Sequence, residues 1–196
     1  MKAAQRRRQE TSLRAAAPEA APTKPEAEGE LVLGVDPSLR GTGYGVIRAS
    51  AGKEIELMAQ GVVKCPAAWP RTRCLAAIAA AMRELTRRFA LDACAVEGLF
   101  YAQNQKTALI MGEARGAALA VLAEAGAPVY ELAPRRVKQA IVGHGGAAKE
   151  AVARMVQRML RLPEPPPPDA ADALALALVF VHEQKRSGIA SGPKRI

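Results

Sequence analysis

Four acidic side chains are the residues of this sequence best suited to chemistry. Asp36 ends the apolar run LVLGVD, Glu97 ends CAVE, and Asp169 and Asp172 open the stretch DAADALALALVF. Carboxylates that are brought together repel one another unless cations neutralise them. Mg²⁺ and Mn²⁺ suit ligand sets made of oxygen, and two such ions about 4 Å apart can activate water and stabilise the leaving oxygen in phosphodiester hydrolysis. The four acids therefore predict metal-dependent hydrolysis of phosphodiesters, provided that the fold brings them together.

Each acid also has a simpler interpretation. Asp36 is followed by Pro37 and a Gly-rich stretch, so it could serve only as a turn former. Asp169 and Asp172 lie three apart in the first turn of a predicted helix, where acids cap free N–H groups and suit the helix dipole. Chemistry is favoured because every acid lies at the tip of a strongly apolar element, and a buried carboxylate is costly without a cation or reacting group nearby.

The spacing of apolar residues shows which elements position the acids. Residues 31–47 predict a hairpin, residues 54–65 a third strand, and residues 91–100 a buried parallel strand reached through a helix that starts after Pro70. Functional groups gather at the carboxyl ends of parallel strands, so Asp36 and Glu97 meet if their strands are neighbours.

Further elements follow in this order: a helix from Asn104 to about Ala125, the strand PVYEL, helices over 134–143 and 147–162, the linker PEPPPP, and a last helix from Asp169. The predicted fold class is α/β, with a five-stranded mixed sheet, three antiparallel strands and then parallel strands, flanked by helices.

Composition divides the 196 residues into three parts. Residues 1–30 are rich in Ala, Pro, Glu and Arg and predict a disordered extension, residues 31–186 a single domain of ordinary size, and residues 187–196 a flexible basic tail. No apolar run has membrane length and the N-terminus lacks a secretory signal, so we expect a soluble, cytoplasmic protein without a membrane partner.

Charge and cysteine content narrow the class of protein. The net charge of +9 favours a polyanionic partner such as nucleic acid. Cys65, Cys74 and Cys94 are odd in number and never spaced C-x-x-C, which argues against a zinc site or a disulfide scaffold. We interpret them as buried, reduced thiols.

Four blocks of the sequence resemble the RuvC family of bacterial Holliday-junction resolvases, a branch of the ribonuclease H and retroviral integrase superfamily. In order, the blocks are VDPSLRGTGYGVI, VEGLFYAQNQKTALIMGEARG, PRRVKQAIVGHGGAAKEAVARMV and DAADALALAL. The resemblance covers residues 31 to 185 and implies a ribonuclease H-like fold. It also implies an endonuclease of homologous recombination and DNA repair that resolves four-way junctions by paired, symmetric nicks in strands of like polarity.

The resemblance assigns the catalytic and metal-binding roles to the four acids found above. It implies two Mg²⁺ ions per active site, for which Mn²⁺ can substitute. Asp36 would contact both ions, and Glu97 and the pair Asp169 and Asp172 would complete the ligand sets.

The resemblance also implies DNA contacts. The family's DNA-contacting lysines match Lys138 and Lys149, with Arg135 and Arg136 beside the first. Phe100 matches an aromatic residue that stacks near the unpaired bases of the crossover, and Tyr101 could share that role. Solvation explains most surface lysines, and a core position would equally explain Phe100.

Two protein partners follow from the resemblance. Family members act as homodimers, because one site cannot cut two strands at once. Gly112 and Gly116 lie four apart in a predicted helix and would allow close packing against the sheet or another subunit. A branch-migration helicase complex is the family's usual further partner.

Other classes of protein fit the sequence less well. Actin-like ATPases and sugar kinases share a similar opening hairpin, but they need a second phosphate-binding hairpin and usually a second domain. A ribonuclease H-like nuclease acting on RNA could use the same acids, and a non-catalytic junction-binding protein would lack some of them. Ser38 and Gly98 depart from the family pattern, the first in the turn after Asp36 and the second in the loop that carries Phe100. His144, between two glycines, is interpreted as a turn residue.

Overall fold

A computed structural model describes residues 29–98, 104–186 and 193–196 of the chain. Six strands are present in these ranges: β1 (Glu30–Asp36), β2 (Gly41–Ala49), β3 (Glu56–Lys64), β4 (Ala93–Glu97), β5 (Val129–Leu132) and β6 (Lys194–Arg195). Five helices accompany them: α1 (Arg71–Arg88), α2 (Gln105–Glu124), α3 (Pro134–Val142), α4 (Lys149–Met159) and α5 (Pro168–Arg186). The predicted order of elements is confirmed.

The strands form one mixed sheet in the order β3-β2-β1-β4-β5-β6. The first three strands are antiparallel neighbours, and β4 and β5 then extend the sheet in parallel with β1. The expected count of five strands was wrong by one, because Lys194 and Arg195 pair antiparallel with Glu131 and Tyr130. These two residues belong to the segment predicted as a flexible tail.

The turn between β1 and β2 is closed by a side chain. The hydroxyl of Thr42, which is fully buried, donates to the carbonyl of Ser38 at 2.6 Å and accepts from its N–H at 3.2 Å. Such local bonds give the backbone a fixed alternative to strand pairing. Ser38, a departure from the family pattern, therefore lies in a well-bonded turn directly after Asp36.

Helices cover both faces of the sheet, as strand alternation requires. Leu33 points to the face covered by α1 and α2, whereas Val32 points to the face covered by α3, α4 and α5. Helix α5 is apolar on nearly every side, because it lies between the sheet and α4. Gly34 and Gly43 lack the side chains that would hold it away from β1 and β2.

Several local predictions are confirmed. The Asn104 side chain accepts the Thr107 N–H at 2.8 Å and caps α2, and Gly143 ends α3 with φ of +94°. All three cysteines are buried and free.

Within the described ranges, no helix is long and apolar enough to span a membrane.

Candidate active site

Asp36 and Glu97 lie next to each other at one edge of the sheet. Strands β1 and β4 are parallel neighbours in which Val35 pairs with Val96, so the two acids follow in adjacent positions. Burial, the charge of Glu97 and a hydrogen bond to its carboxyl raise the pKa of Asp36 to about 8. Burial also raises the pKa of Glu97. The pair therefore holds a proton to higher pH than an isolated carboxyl does.

The other two acids reach the same place from the first turn of α5. The side chain of Asp172 is mostly covered, while that of Asp169 is 39% exposed. Lys149 Nζ lies 3.4 Å from Asp169 Oδ1 and 3.1 Å from Asp172 Oδ2. Burial alone would lower the pKa of Lys149, but the carboxylates of Asp172 and Asp169 raise it, so the ammonium stays charged.

The four acids, Lys138 and Lys149 line a single open cavity of about 280 Å³. Three separate elements thus deliver four carboxylates to one place, the convergence that the strand and helix patterns predicted.

The donor set fits hard divalent cations. All four side chains offer oxygen, the ligand atom that these ions prefer. Burial first, and then the charges of Glu97 and Asp172, raise the pKa of Asp36, and a bound cation would favour its ionised form. In the described ranges, no group of three or more Asp, Glu, His or Cys side chains is arranged to hold a metal ion as it stands. The Lys149 ammonium pairs with both Asp169 and Asp172, so a metal ion bound to these two acids would have to displace it.

Of the four basic residues predicted to contact DNA, two line the cavity and two do not. Lys138 lies on α3 and lines the cavity, as Lys149 does at the start of α4. Arg136 does not line it, because its Nε donates to Glu183 Oε1 at 2.6 Å. Arg135 is exposed on α3, outside the cavity lining. Phe100 and Tyr101 lie outside the described residues.

Sequence reasoning missed Arg115, which contacts the main chain of Glu97. Its Nε donates to the carbonyl of Glu97 at 3.3 Å, and its Nη2 pairs with the Glu131 carboxylate. A signal existed in the isolated arginine of the largely apolar stretch ALIMGEARGAALA, where a charge needs a reason to be tolerated.

Comparisons with known proteins agree with this geometry. A family model described as "Crossover junction endodeoxyribonuclease RuvC" matches residues 32–180. Proteins of that same description from Tolumonas auensis and Moorella thermoacetica are 44% and 46% identical, over 79% and 76% of this chain and 88% and 89% of their own.

A solved structure extends the likeness to three dimensions. The chain titled "T. thermophilus RuvC in complex with Holliday junction substrate" matches with a TM-score of 0.77 and 38% identity. The match covers 85% of this chain and 99% of that one, which confirms the ribonuclease H-like fold. On these grounds, the chain belongs to the RuvC family of crossover junction endodeoxyribonucleases.

Proposed function

We propose that this protein is a metal-dependent endonuclease that resolves four-way DNA junctions by paired nicks in strands of like polarity. The observation that carries the proposal is the convergence of Asp36, Glu97, Asp169 and Asp172 in one cavity beside two lysines. The relative from Thermus thermophilus was solved with a Holliday junction, which supports the same class of substrate here. The proposal places the protein in homologous recombination and repair, and therefore in the cytoplasm with the DNA.

The four acids are proposed to hold two Mg²⁺ ions, with Mn²⁺ able to substitute. Asp36 would contact both ions, because the carboxylates of both Glu97 and Asp172 are close enough to affect its pKa, and Glu97 and the acids of α5 would complete the ligand sets. Such ions supply an activated water and stabilisation of the leaving oxygen. The chain itself contributes a fixed pair of strand ends, a rigid helix terminus and cations that orient the phosphate.

Lys138 and Lys149 are proposed to contact the DNA backbone. Lys149 is paired with carboxylates that a metal ion would neutralise, which would free its ammonium for a phosphate oxygen. Arg135 lies three residues before Lys138 and shares its helix face, so we propose it as an outer phosphate contact. Arg136 would first have to leave Glu183.

Lys138→Gln and Lys149→Gln are each expected to weaken junction binding and to reduce its dependence on salt. Every lost phosphate contact lowers the slope of log K against log[salt] by about 1. Fluorescence anisotropy with a labelled junction in Ca²⁺, at 50 to 200 mM salt, measures the slope. Lys53→Gln, on an exposed turn far from the cavity lining, is the control and should leave the slope unchanged. A wild-type slope in both site variants would contradict the assignment.

Phe100 is proposed to stack on unpaired bases at the crossover, with Tyr101 beside it. Support comes from the family resemblance and from the position of both residues three and four positions after Glu97 in the sequence. Stacking of one base on an aromatic ring contributes about 1–3 kcal/mol. On the resemblance alone, a branch-migration helicase complex is also proposed as a partner.

A homodimer through α2 is part of the proposal. Leu109 is 67% exposed, which is unusual for a leucine on a well-packed helix. A side chain at Gly116 would meet no described atom within 4 Å, so this glycine does not serve packing inside the described subunit. Both residues fit a surface against which a second copy packs closely.

Leu109→Glu and Gly116→Arg are expected to convert the dimer to a monomer. Each change places a charge at the proposed interface, where it would be buried without a partner. Sedimentation velocity should show half the wild-type mass, and junctions should then be nicked singly rather than in pairs. Ala51→Glu, at an exposed position in the turn between β2 and β3 and not on α2, is the control. A dimer that persists in both variants would place the interface elsewhere.

The function is tested with a panel of substrates. Purified protein is incubated with a mobile four-way junction, a matched duplex and an RNA/DNA hybrid, each with Mg²⁺ and with EDTA. We expect the protein to cleave the junction but not the duplex or the hybrid, and to do so with Mg²⁺ but not with EDTA. Cleavage of the hybrid instead would indicate a ribonuclease, and tight binding of the junction without cleavage would indicate a non-catalytic binding protein.

A further inference from the structure

Arg115 joins helix α2 to the end of the strand that carries Glu97. Its side chain is only 15% exposed, although it is an arginine. Nε donates to the Glu97 carbonyl at 3.3 Å and Nη2 donates to the Glu131 carboxylate. The two acceptors lie on neighbouring strands, Glu97 on β4 and Glu131 on β5. The fixed fork of a guanidinium suits two acceptors at once better than the single point of an ammonium does.

The residues around the Arg115–Glu131 ion pair leave room for it. Glu131 lies on β5 opposite Val96, the residue before Glu97. A Cβ atom at Gly98 would lie 3.0 Å from Glu131 Cγ and 3.2 Å from its Cδ, so a side chain there would press on the carboxylate that Arg115 uses. The Gly98 N–H donates to the Leu132 carbonyl at 2.9 Å and keeps this strand end in the sheet. Gly98, a departure from the family pattern, thus leaves room for the ion pair.

We infer that Arg115 is a positioning residue that fixes the orientation of the Glu97 carboxylate for metal binding. This inference rests on the proposed function, in which Glu97 is a metal ligand. On the β1 side the pairing of β4 ends at Val96, one residue before Glu97, and on the β5 side Glu97 pairs with Leu132. Arg115 adds a restraint from a third direction by holding the Glu97 main chain from α2. Groups that orient a metal ligand in this way typically account for about 10- to 100-fold in affinity or activity.

The test compares Arg115→Lys with wild type in four measurements. Lysine keeps the positive charge near Glu131 but loses the fork that also reaches the Glu97 carbonyl. We expect Mn²⁺ binding without DNA, followed by calorimetry, to weaken about tenfold. At fixed Mn²⁺, kcat on the junction should fall about tenfold with little change in KM. Junction affinity in Ca²⁺ and the melting temperature should stay close to wild type.

Two further variants complete the design. Glu131→Gln keeps an acceptor for Arg115 but removes its charge, and we expect a smaller loss of Mn²⁺ affinity in the same direction. Arg71→Lys is the matched control, because Arg71 Nε also pairs with a glutamate of α2, Glu113, at 3.2 Å but does not contact Glu97. It should bind Mn²⁺ like wild type.

The possible outcomes separate this inference from the proposed function. Wild-type Mn²⁺ affinity in folded Arg115→Lys would overturn the inference, as would equal losses in Arg115→Lys and Arg71→Lys. If Arg115→Lys does not fold, Glu131→Gln decides, and unchanged Mn²⁺ affinity in that variant overturns the inference. Failure of the wild-type protein to cut any junction would overturn the proposed function, whereas the Mn²⁺ measurement would still report on Arg115.

Discussion

Asp36→Asn is expected to abolish junction cleavage while junction binding is retained. Asp36 ends β1 beside Glu97 and lines the same cavity as the acids of α5, and the charges of Glu97 and Asp172 both act on it, so we expect it to contact two ions. Changes that only disturb the orientation of a ligand cost about 10- to 100-fold, and loss of a shared ligand should exceed that range. We therefore expect cleavage to fall by more than about 100-fold, to below detection in a gel assay with Mg²⁺.

The same variant should fold normally. Burial and the charge of Glu97 disfavour the ionised form of Asp36, as its pKa of about 8 shows, and asparagine removes that repulsion. The melting temperature is expected to equal or exceed that of wild type. Asp92→Asn is the matched control: Asp92 Oδ2 accepts the Leu31 N–H at 2.8 Å, away from the cavity, and asparagine retains an acceptor. Wild-type cleavage by Asp36→Asn, or lost binding with unfolding, would contradict the metal-ligand role.

Gly43→Ala is expected to cause a large loss of stability and to remove metal binding with it. A Cβ at Gly43 would lie 1.9 Å from the Asp169 carbonyl oxygen, and one at Gly34 would lie 1.8 Å from that of Ala173. Both obstacles are backbone atoms of α5, which cannot rotate away as a side chain can. Helix α5 must therefore move outward, and Asp169 and Asp172 must move with it.

Overpacking of this kind costs about 1–3 kcal/mol when side chains can adjust, so against backbone we expect at least about 3 kcal/mol. Urea unfolding measures the free energy, and an Mn²⁺ titration measures the accompanying loss of affinity. Gly146→Ala is the control, since a Cβ there meets no described atom within 4 Å, and it should change stability by less than about 0.5 kcal/mol. A Gly43→Ala protein as stable as wild type would show that α5 does not need this close approach.

Much of the active site was predictable because its acids stand at the ends of regular elements. The apolar runs before Asp36 and Glu97 identified two strands, and a crossover between them makes adjacent parallel pairing a natural outcome. The three-residue spacing of Asp169 and Asp172 then placed both on one helix face. The apolar runs of strands and the periodicity of helices are local patterns, so both can be recognised in the sequence itself.

Other features depend on contacts between distant residues and have no local pattern. The two charged residues of β6 form a strand only because the edge of β5 is available to them. Arg136 looked like a DNA contact beside Lys138, yet it pairs with Glu183, 47 residues away. Likewise, Arg115 reaches Glu97 across 18 residues, a contact fixed by how α2 packs beside the sheet.

The central claim is that these four acids make a metal-dependent resolvase of four-way DNA junctions. The most direct measurement uses a mobile junction with each strand labelled in turn, incubated with wild-type protein in Mg²⁺ and resolved on a denaturing gel. The account predicts nicks at symmetric positions in two strands of like polarity, absent in EDTA and absent in the Asp36→Asn variant. Cleavage that persists in EDTA or in Asp36→Asn, or no cleavage of the junction by the wild-type protein, would contradict it.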